Sequence, residues 1–180
     1  MMQDPDIELW AMDEVHFQQH GSRCRMWVPP EVRDPVLLHH PTRKSVGYFG
    51  AVRLRDGCFV YRRELNSFNA ETCQEFLLQL YQLACKPTKR VVVIADNAKY
   101  HHAKLHKPWR DEHSKEFALD FLPPYSPELN PAERPWKLTR RNRLHNRYFS
   151  TLDDVIVSVE AQFDQWASPN ETLRRLCAII

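Results

Sequence analysis

The chain has 180 residues, 43% of them apolar and 27% charged, with a net charge of +2. That length and composition suit one domain with a core of its own, and no apolar run is long enough to cross a bilayer. The opening Met-Met-Gln-Asp-Pro-Asp lacks the positive flank and apolar core of a signal peptide, so a cytoplasmic protein without membrane partners is expected. Five cysteines with no Cys-x-x-Cys pair argue against a disulfide framework or a zinc ribbon and predict free thiols in or near the core. Only four glycines argue against a nucleotide-cradling loop.

Ile7-Glu-Leu-Trp-Ala-Met-Asp13 reads as a largely buried strand that runs into Asp13 and Glu14. A buried carboxylate costs several kcal/mol unless a cation, a donor network or a metal meets it, so Asp13 calls for a partner or else lies at an edge. Arg25-Met-Trp-Val-Pro29 is a second short strand candidate, and His39-His40-Pro41 a loop. Ser45 to Leu54 and Cys58 to Leu65 form a hairpin around Arg55-Asp56-Gly57. Asn69 to Ala84 is a core-packing helix, capped by Asn69 and closed by Lys86-Pro87.

Val91 to Ala95 is too short for a helix and too continuously apolar for a strand with one wet face, so it reads as a strand covered on both sides. A helix crossover lets it lie parallel to the first strand. Asp96 follows, where ligands collect in α/β sheets, and is either a functional group or the cap of a helix over Ala98 to Lys107. In that stretch Lys99 and His101 are candidate DNA contacts, and His102 and His106, four apart, either share a metal, contact a DNA backbone or lie on the plain surface.

Phe117 to Leu122 is the last strand. The stiff Pro123-to-Pro131 loop then leads into a helix with Asn130 as cap, Pro131 at its first position and Glu133 at its third. Glu133 is thus either a capping acid or a delivered functional group. Between Pro131 and Ser150 six Lys or Arg face the single acid Glu133, a local charge of +5 against −3 for the remainder. Such a segment is a polyanion contact or a solvated helix face, with Lys137 and Arg140 in line with Glu133. Thr151 to Trp166 is a closing amphipathic helix, with one or two further helical turns in the tail.

This order of elements is that of a ribonuclease-H-like α/β domain: a central mixed five-stranded sheet, three antiparallel strands then two parallel, flanked by helices. Asp13 and Asp96 then lie on adjacent central strands, with Glu133 brought alongside. Three carboxylates at one point require divalent cations, and hard oxygen ligands suit Mg²⁺ or Mn²⁺. Two such ions can activate a water or a 3′-hydroxyl for in-line phosphoryl displacement.

Asp96-Asn97, followed by Pro124-Tyr-Ser-Pro-Glu-Leu-Asn-Pro-Ala-Glu133-Arg-Pro-Trp136, resembles the catalytic core of DDE transposases of the mariner-like superfamily, in particular its bacterial insertion-sequence branch. The spacing of 37 residues between Asp96 and Glu133 is close to that family's, and Trp10-Ala-Met-Asp13-Glu14 resembles its first catalytic strand. The resemblance spans essentially the whole chain. It implies Asp13, Asp96 and Glu133 as catalytic, metal-binding acids, Asn97 and Glu14 as supporting residues, and Lys137, Arg140 and Arg141 as phosphate contacts. It further implies a magnesium- or manganese-dependent enzyme that cuts DNA at transposon ends and joins the 3′-hydroxyl to target DNA, often at a TA step. A homodimer, associated with the nucleoid when bound to DNA, is the implied assembly. An inactive or domesticated remnant and a purely hydrolytic nuclease are the alternatives.

Two departures from the family stand out. No helix-turn-helix region precedes the first catalytic strand, so residues 1–180 are expected to be a single catalytic domain, from a split reading frame or a truncated copy, with a separate helix-turn-helix polypeptide for end recognition. Pro135 removes a helical hydrogen bond near Glu133, so the helix begins either at Pro131 or at Pro135.

Overall fold

The strand β1 (Ile7–Gln18) feeds two cores at once. Leu9, Ala11, Val15 and Phe17 enter a cluster on one face of the sheet, while Trp10 and Met12 enter the cluster on the other, as the two-residue period of a strand demands. A computed structural model describes residues 4–20, 22–32, 36, 38, 41–65, 67–85, 88–124 and 126–178. The expected terminator Lys86-Pro87, the loop histidines His39 and His40, and Tyr125 of the proline-rich motif lie outside the described residues.

The sheet has the order β3-β2-β1-β4-β5. β2 (Ser45–Arg53) and β3 (Phe59–Glu64) form the expected hairpin, with Gly57 at a φ of 74° supplying its turn. β4 (Arg90–Ala95) pairs parallel with β1, and β5 (Phe117–Phe121) parallel with β4. The mixed ribonuclease-H-like sheet is therefore present, with β1 and β4 as central neighbours. β1 runs five residues beyond Asp13 because β2 accompanies it as far as the Gln18–Ser45 pair. β4 leaves β1 much earlier, after the Ala11–Ile94 pair, and the edge of β1 facing the acids is open from there on.

Helix α1 (Ala70–Ala84) covers one face with Cys73, Phe76, Leu77 and Leu80, starting from the Asn69 capping box. On the other face α3 (Glu133–Thr139), α4 (Leu152–Asp164) and α5 (Glu171–Leu176) contribute Trp136, Val155, Val159, Phe163 and Leu173. Phe163 is fully buried and meets Phe17, Tyr48, Phe59 and Trp136 at centroid distances of 5.2–6.3 Å. The five cysteines are free; Cys73 and Cys177 are buried, whereas Cys24 is exposed.

Three expectations are corrected. Residues 23–29 form no strand, and Trp27 is 97% exposed; an apolar run becomes a strand only where a neighbour pairs its backbone, and the sheet offers this one none. Residues 98–107 do not form one helix. Extended backbone at Ala98 and Ala103 breaks them into 3₁₀ turns at Lys99–His102 and Lys104–His106, before α2 (Lys107–Glu112). Finally α3 begins at Glu133, which puts Pro135 at the third helical position, where no intrahelical partner awaits its missing N–H. Pro135 and Glu133 are compatible in one helix for this reason.

Candidate metal and nucleic-acid site

Asp13 sits opposite Gly50 in the register of β1 and β2. A Cβ on Gly50 would lie 2.2 Å from Trp136 Cη2 and 2.7 Å from Phe59 Cζ, so the missing side chain is what admits the indole over the strand. Trp136 Nε1 then donates to Asp13 Oδ2 at 3.0 Å. Burial pushes the Asp13 carboxyl up to about 7, with the charges of Glu14 and Asp96 acting in the same direction and the indole bond opposing them.

Asp96, at the carboxyl end of β4, accepts from the Ala98 N–H at 2.9 Å and stands 2.9 Å from His101 Nδ1. The hydrogen bond from His101 holds its carboxyl below the usual range against the effect of burial. His101 itself is fully buried. Burial favours its neutral form, but Asp96 and Cys73 outweigh this and raise it to about 10. Glu14 points to the opposite face from Asp13, accepts from the Tyr100 hydroxyl, and places Oε2 3.9 Å from His101 Nε2. Among the described residues, Glu14, Asp96 and His101 bring one ligand atom each within 4.8 Å of one another.

Glu133, on the first turn of α3, pairs with Lys137 at 2.9 Å. The entry to α3 is tied to β1 by buried Asn130, which donates from Nδ2 to the Met12 carbonyl at 3.0 Å and accepts from the Ala132 N–H at 3.1 Å. Asp13 and Glu133 both raise the pKa of the Arg140 guanidinium, against burial that lowers it, while Asp96 acts on Asp13. Each of the three expected acids has a donor of its own, Trp136 for Asp13, His101 for Asp96 and Lys137 for Glu133, and neither Asp13 nor Glu133 belongs to the group of Glu14, Asp96 and His101 that meets within 4.8 Å. The oxygen chemistry of the three acids fits Mg²⁺ or Mn²⁺.

Asn97 lies at the mouth, its Nδ2 donating to the Leu122 carbonyl and its Oδ1 3.2 Å from His102 Nε2. It joins the end of β4 to the start of the proline-rich loop, and a 430 Å³ cleft opens between Asp96, Asn97, Leu122, Pro124 and Ser126. Lys99 and Arg141 are exposed. His101 is not, and the expected DNA contact there is corrected: its ring serves Asp96 instead. His102 stacks on Phe121 at 4.0 Å whereas His106 bonds the Tyr100 carbonyl at 2.6 Å, so the two do not share a metal. Sequence reasoning misses what Trp136, Tyr100 and Gly50 do; the signals it offers are that Trp136 closes the motif carrying the family resemblance and that a glycine inside a strand is notable in a glycine-poor chain.

A ribonuclease-H-like sheet with Asp13 on one central strand, Asp96 directly after the other and Glu133 on the first turn of α3 defines a class of α/β domains with an acidic site. The chain belongs to the DDE superfamily endonuclease family, whose sequence profile matches residues 8–156. Over 89 residues it is 37% identical to the uncharacterized protein y4pE/y4sA of Sinorhizobium fredii (strain NBRC 101917 / NGR234), a match spanning 49% of this chain and 61% of that protein. The fold is similar to that in the crystal structure of the Mos1 mariner paired end complex with Mn, with a TM-score of 0.70 at 19% identity, covering 94% of this chain and 51% of that one. It is similar also to the catalytic domain of Mos1 mariner transposase, with a TM-score of 0.59 at 17% identity, covering 94% of this chain and 75% of that one. The chain thus spans about half the length of the protein in the paired end complex. No helix among the described residues is long and apolar enough to cross a membrane.

Proposed function

We propose that this chain is the catalytic domain of a DDE transposase that cleaves DNA at element ends and transfers the freed strand to a target. The observation that carries the reading is the joint placement of Asp13 and Asp96 on adjacent strands and of Glu133 on a helix whose Trp136 already touches Asp13. The similar Mos1 structures include a complex with Mn, one with Mg and a Strand Transfer Complex, which supports a divalent metal and a DNA substrate here. Asp13, Asp96 and Glu133 would hold Mg²⁺ or Mn²⁺ as two ions, which when bound would supply Lewis-acid stabilisation of charge on a phosphodiester.

The chain's own residues do the positioning. His101 and the Ala98 N–H fix Asp96 at one carboxylate oxygen. Trp136 fixes Asp13, and Asn97 ties the strand end to the proline-rich loop. Lys99, Lys137, Arg140 and Arg141 are assigned to the phosphate backbone. End recognition, joining at a TA step and action as a homodimer belong to the same proposal, with base reading supplied by a helix-turn-helix segment or polypeptide outside residues 1–180.

The test is incubation of a labelled duplex carrying the element's ends with the chain and Mn²⁺ or Mg²⁺, beside Asp13→Asn, Asp96→Asn and Glu133→Gln. Cleavage and joined products from the wild type alone are expected. Equal cleavage by the variants would sink the triad; cleavage without joined product would make the chain a hydrolytic nuclease.

A further inference from the structure

Beside the acids, Arg140, assigned above to the phosphate backbone without a location, stands in a pocket of its own. After Ala11 the edge of β1 facing β4 has no partner strand. The Leu9 carbonyl accepts from Leu54 on the β2 side, and the Met12 carbonyl accepts from Asn130 on the other. By the alternation of an antiparallel ladder, the N–H groups of His16 and Gln18 also face the open edge. Across that edge α3 passes into a π-helical turn, Arg140–Leu144, closed by the His145 N–H on the Arg140 carbonyl at 2.8 Å. Such a turn re-aims side chains and is frequent at functional sites. Here it sets the Arg140 guanidinium over the Phe17 ring, 5.3 Å from its centroid.

Arg140 is half-buried, yet no carboxylate among the described residues comes within salt-bridge distance of it; Asp13 and Glu133 act on it only through space. Between Arg140 and the strand is a 290 Å³ cavity lined also by His16, Gln18, His20, Ser22 and Leu144, with no acid in its wall. A desolvated guanidinium with no carboxylate in salt-bridge distance, beside the backbone donors of an open strand edge, is a site for an anion.

We infer that this pocket is a phosphate subsite, binding the phosphodiester that neighbours the one at the acids. The inference rests on the reading of the chain as a DNA-cutting enzyme. It fixes the path of the strand along the overhanging edge of β1, with Asp13 at one end and Ser22 at the other. Arg140 serves both ends, offsetting the charge of the acids and holding the strand beside them.

The test compares wild type, Arg140→Gln and Arg140→Lys in binding a 20-base-pair duplex with Ca²⁺ over a series of salt concentrations. Loss of one phosphate contact lowers the slope of log K against log salt by about 0.9. Arg140→Gln should show that change with a several-fold loss of affinity, and Arg140→Lys should keep most of the slope. Mn²⁺ binding without DNA is measured alongside. If Arg140→Gln alters Mn²⁺ affinity but leaves DNA affinity and slope unchanged, Arg140 is a counter-charge only and the subsite is overturned. If the wild type binds no duplex by itself, duplex affinity depends on the end-recognising segment, and the enzymatic reading is decided by the cleavage test above. The pocket is then judged by titrating inorganic phosphate and following the Arg140 Nε–Hε resonance: saturable movement, lost in Arg140→Gln, supports the subsite, and a fixed signal overturns it.

Discussion

His101 holds Asp96 from below: its Nδ1 lies 2.9 Å from Asp96 Oδ1 and 3.1 Å from that residue's own carbonyl oxygen. Oδ1 also takes the Ala98 N–H, so the carboxylate keeps its second oxygen for a ligand. His101→Leu should weaken Mn²⁺ binding by about 10- to 100-fold, the usual effect of losing a residue that orients a metal ligand. His101→Asn, whose amide can still donate to Asp96, should recover most of that loss; calorimetric titration with Mn²⁺ decides. The same pair predicts an alkaline transition. The imidazole pKa rises on folding from 6.5 to about 10, so the stability it lends is complete below about pH 6.5 and disappears as pH rises through 10. Melting temperatures should fall over that range in the wild type and less in His101→Leu.

Asp13 behaves oppositely. Its pKa rises on folding from 3.8 to about 7, so between those values the folded chain holds a proton that the unfolded chain has released. Stability must then fall as pH climbs from about 4 to 7, by up to about 4 kcal/mol on this group's account. Asp13→Asn should be more stable than the wild type at pH 8 in EDTA, the gain shrinking toward zero near pH 4 in urea titrations. Equal stability at pH 8 would refute an uncompensated Asp13. On the proposed reading a divalent ion would take the proton's place, so Mn²⁺ affinity should increase with pH up to about 7 and level off above it.

The sheet was legible because a continuous apolar run such as Val91 to Ala95 carries a strand and its terminus in one signal, whereas the run that stops at Asp13 hid the strand's continuation to Gln18, which pairing with β2 supplies. The place of Glu133 on the first turn of a helix was legible through the proline-rich loop before it. The support was not. Whether His101 faces DNA or Asp96 depends on the 3₁₀ turn between extended Ala98 and Ala103, and the residue pattern there fits a continuous helix equally well. The Trp136–Asp13 bond joins residues 123 positions apart, which no local period encodes. Arg25 to Pro29 misled for a related reason: its apolar content is that of a strand, but strands are made by partners.

Gly50 supplies a steric test of the same contact. An added methyl in Gly50→Ala would meet Trp136 at 2.2 Å and Phe59 at 2.7 Å, both inside a packed aromatic cluster. Overpacking of this kind costs about 1–3 kcal/mol, and the indole must move away from Asp13. Denaturant titration should show the destabilisation and calorimetry a weaker Mn²⁺ site. Trp136→Phe removes the N–H while keeping most of the ring, so it should lower Mn²⁺ affinity with a smaller loss of stability. If Gly50→Ala costs stability yet leaves Mn²⁺ binding intact, Trp136 does not position Asp13.

Asn130 is the hinge between the third acid and the first strand. It is only 3% exposed and uses both ends of its amide, on the Met12 carbonyl and the Ala132 N–H. Asn130→Ala leaves two buried polar groups unpaired, at a cost of about 1–3 kcal/mol each. Asn130→Asp is more diagnostic. The carboxylate can still accept from Ala132, but it cannot donate to Met12 and sets a charge against that carbonyl, one residue from Asp13. It should therefore destabilise at least as much as alanine at pH 8 and less at pH 4, where protonation restores a donor. Urea titrations of both variants at the two pH values measure this. An aspartate variant as stable as the wild type at pH 8 would show that α3 is held to β1 by packing alone, leaving Glu133 to be placed by Trp136 and the aromatic cluster beneath it.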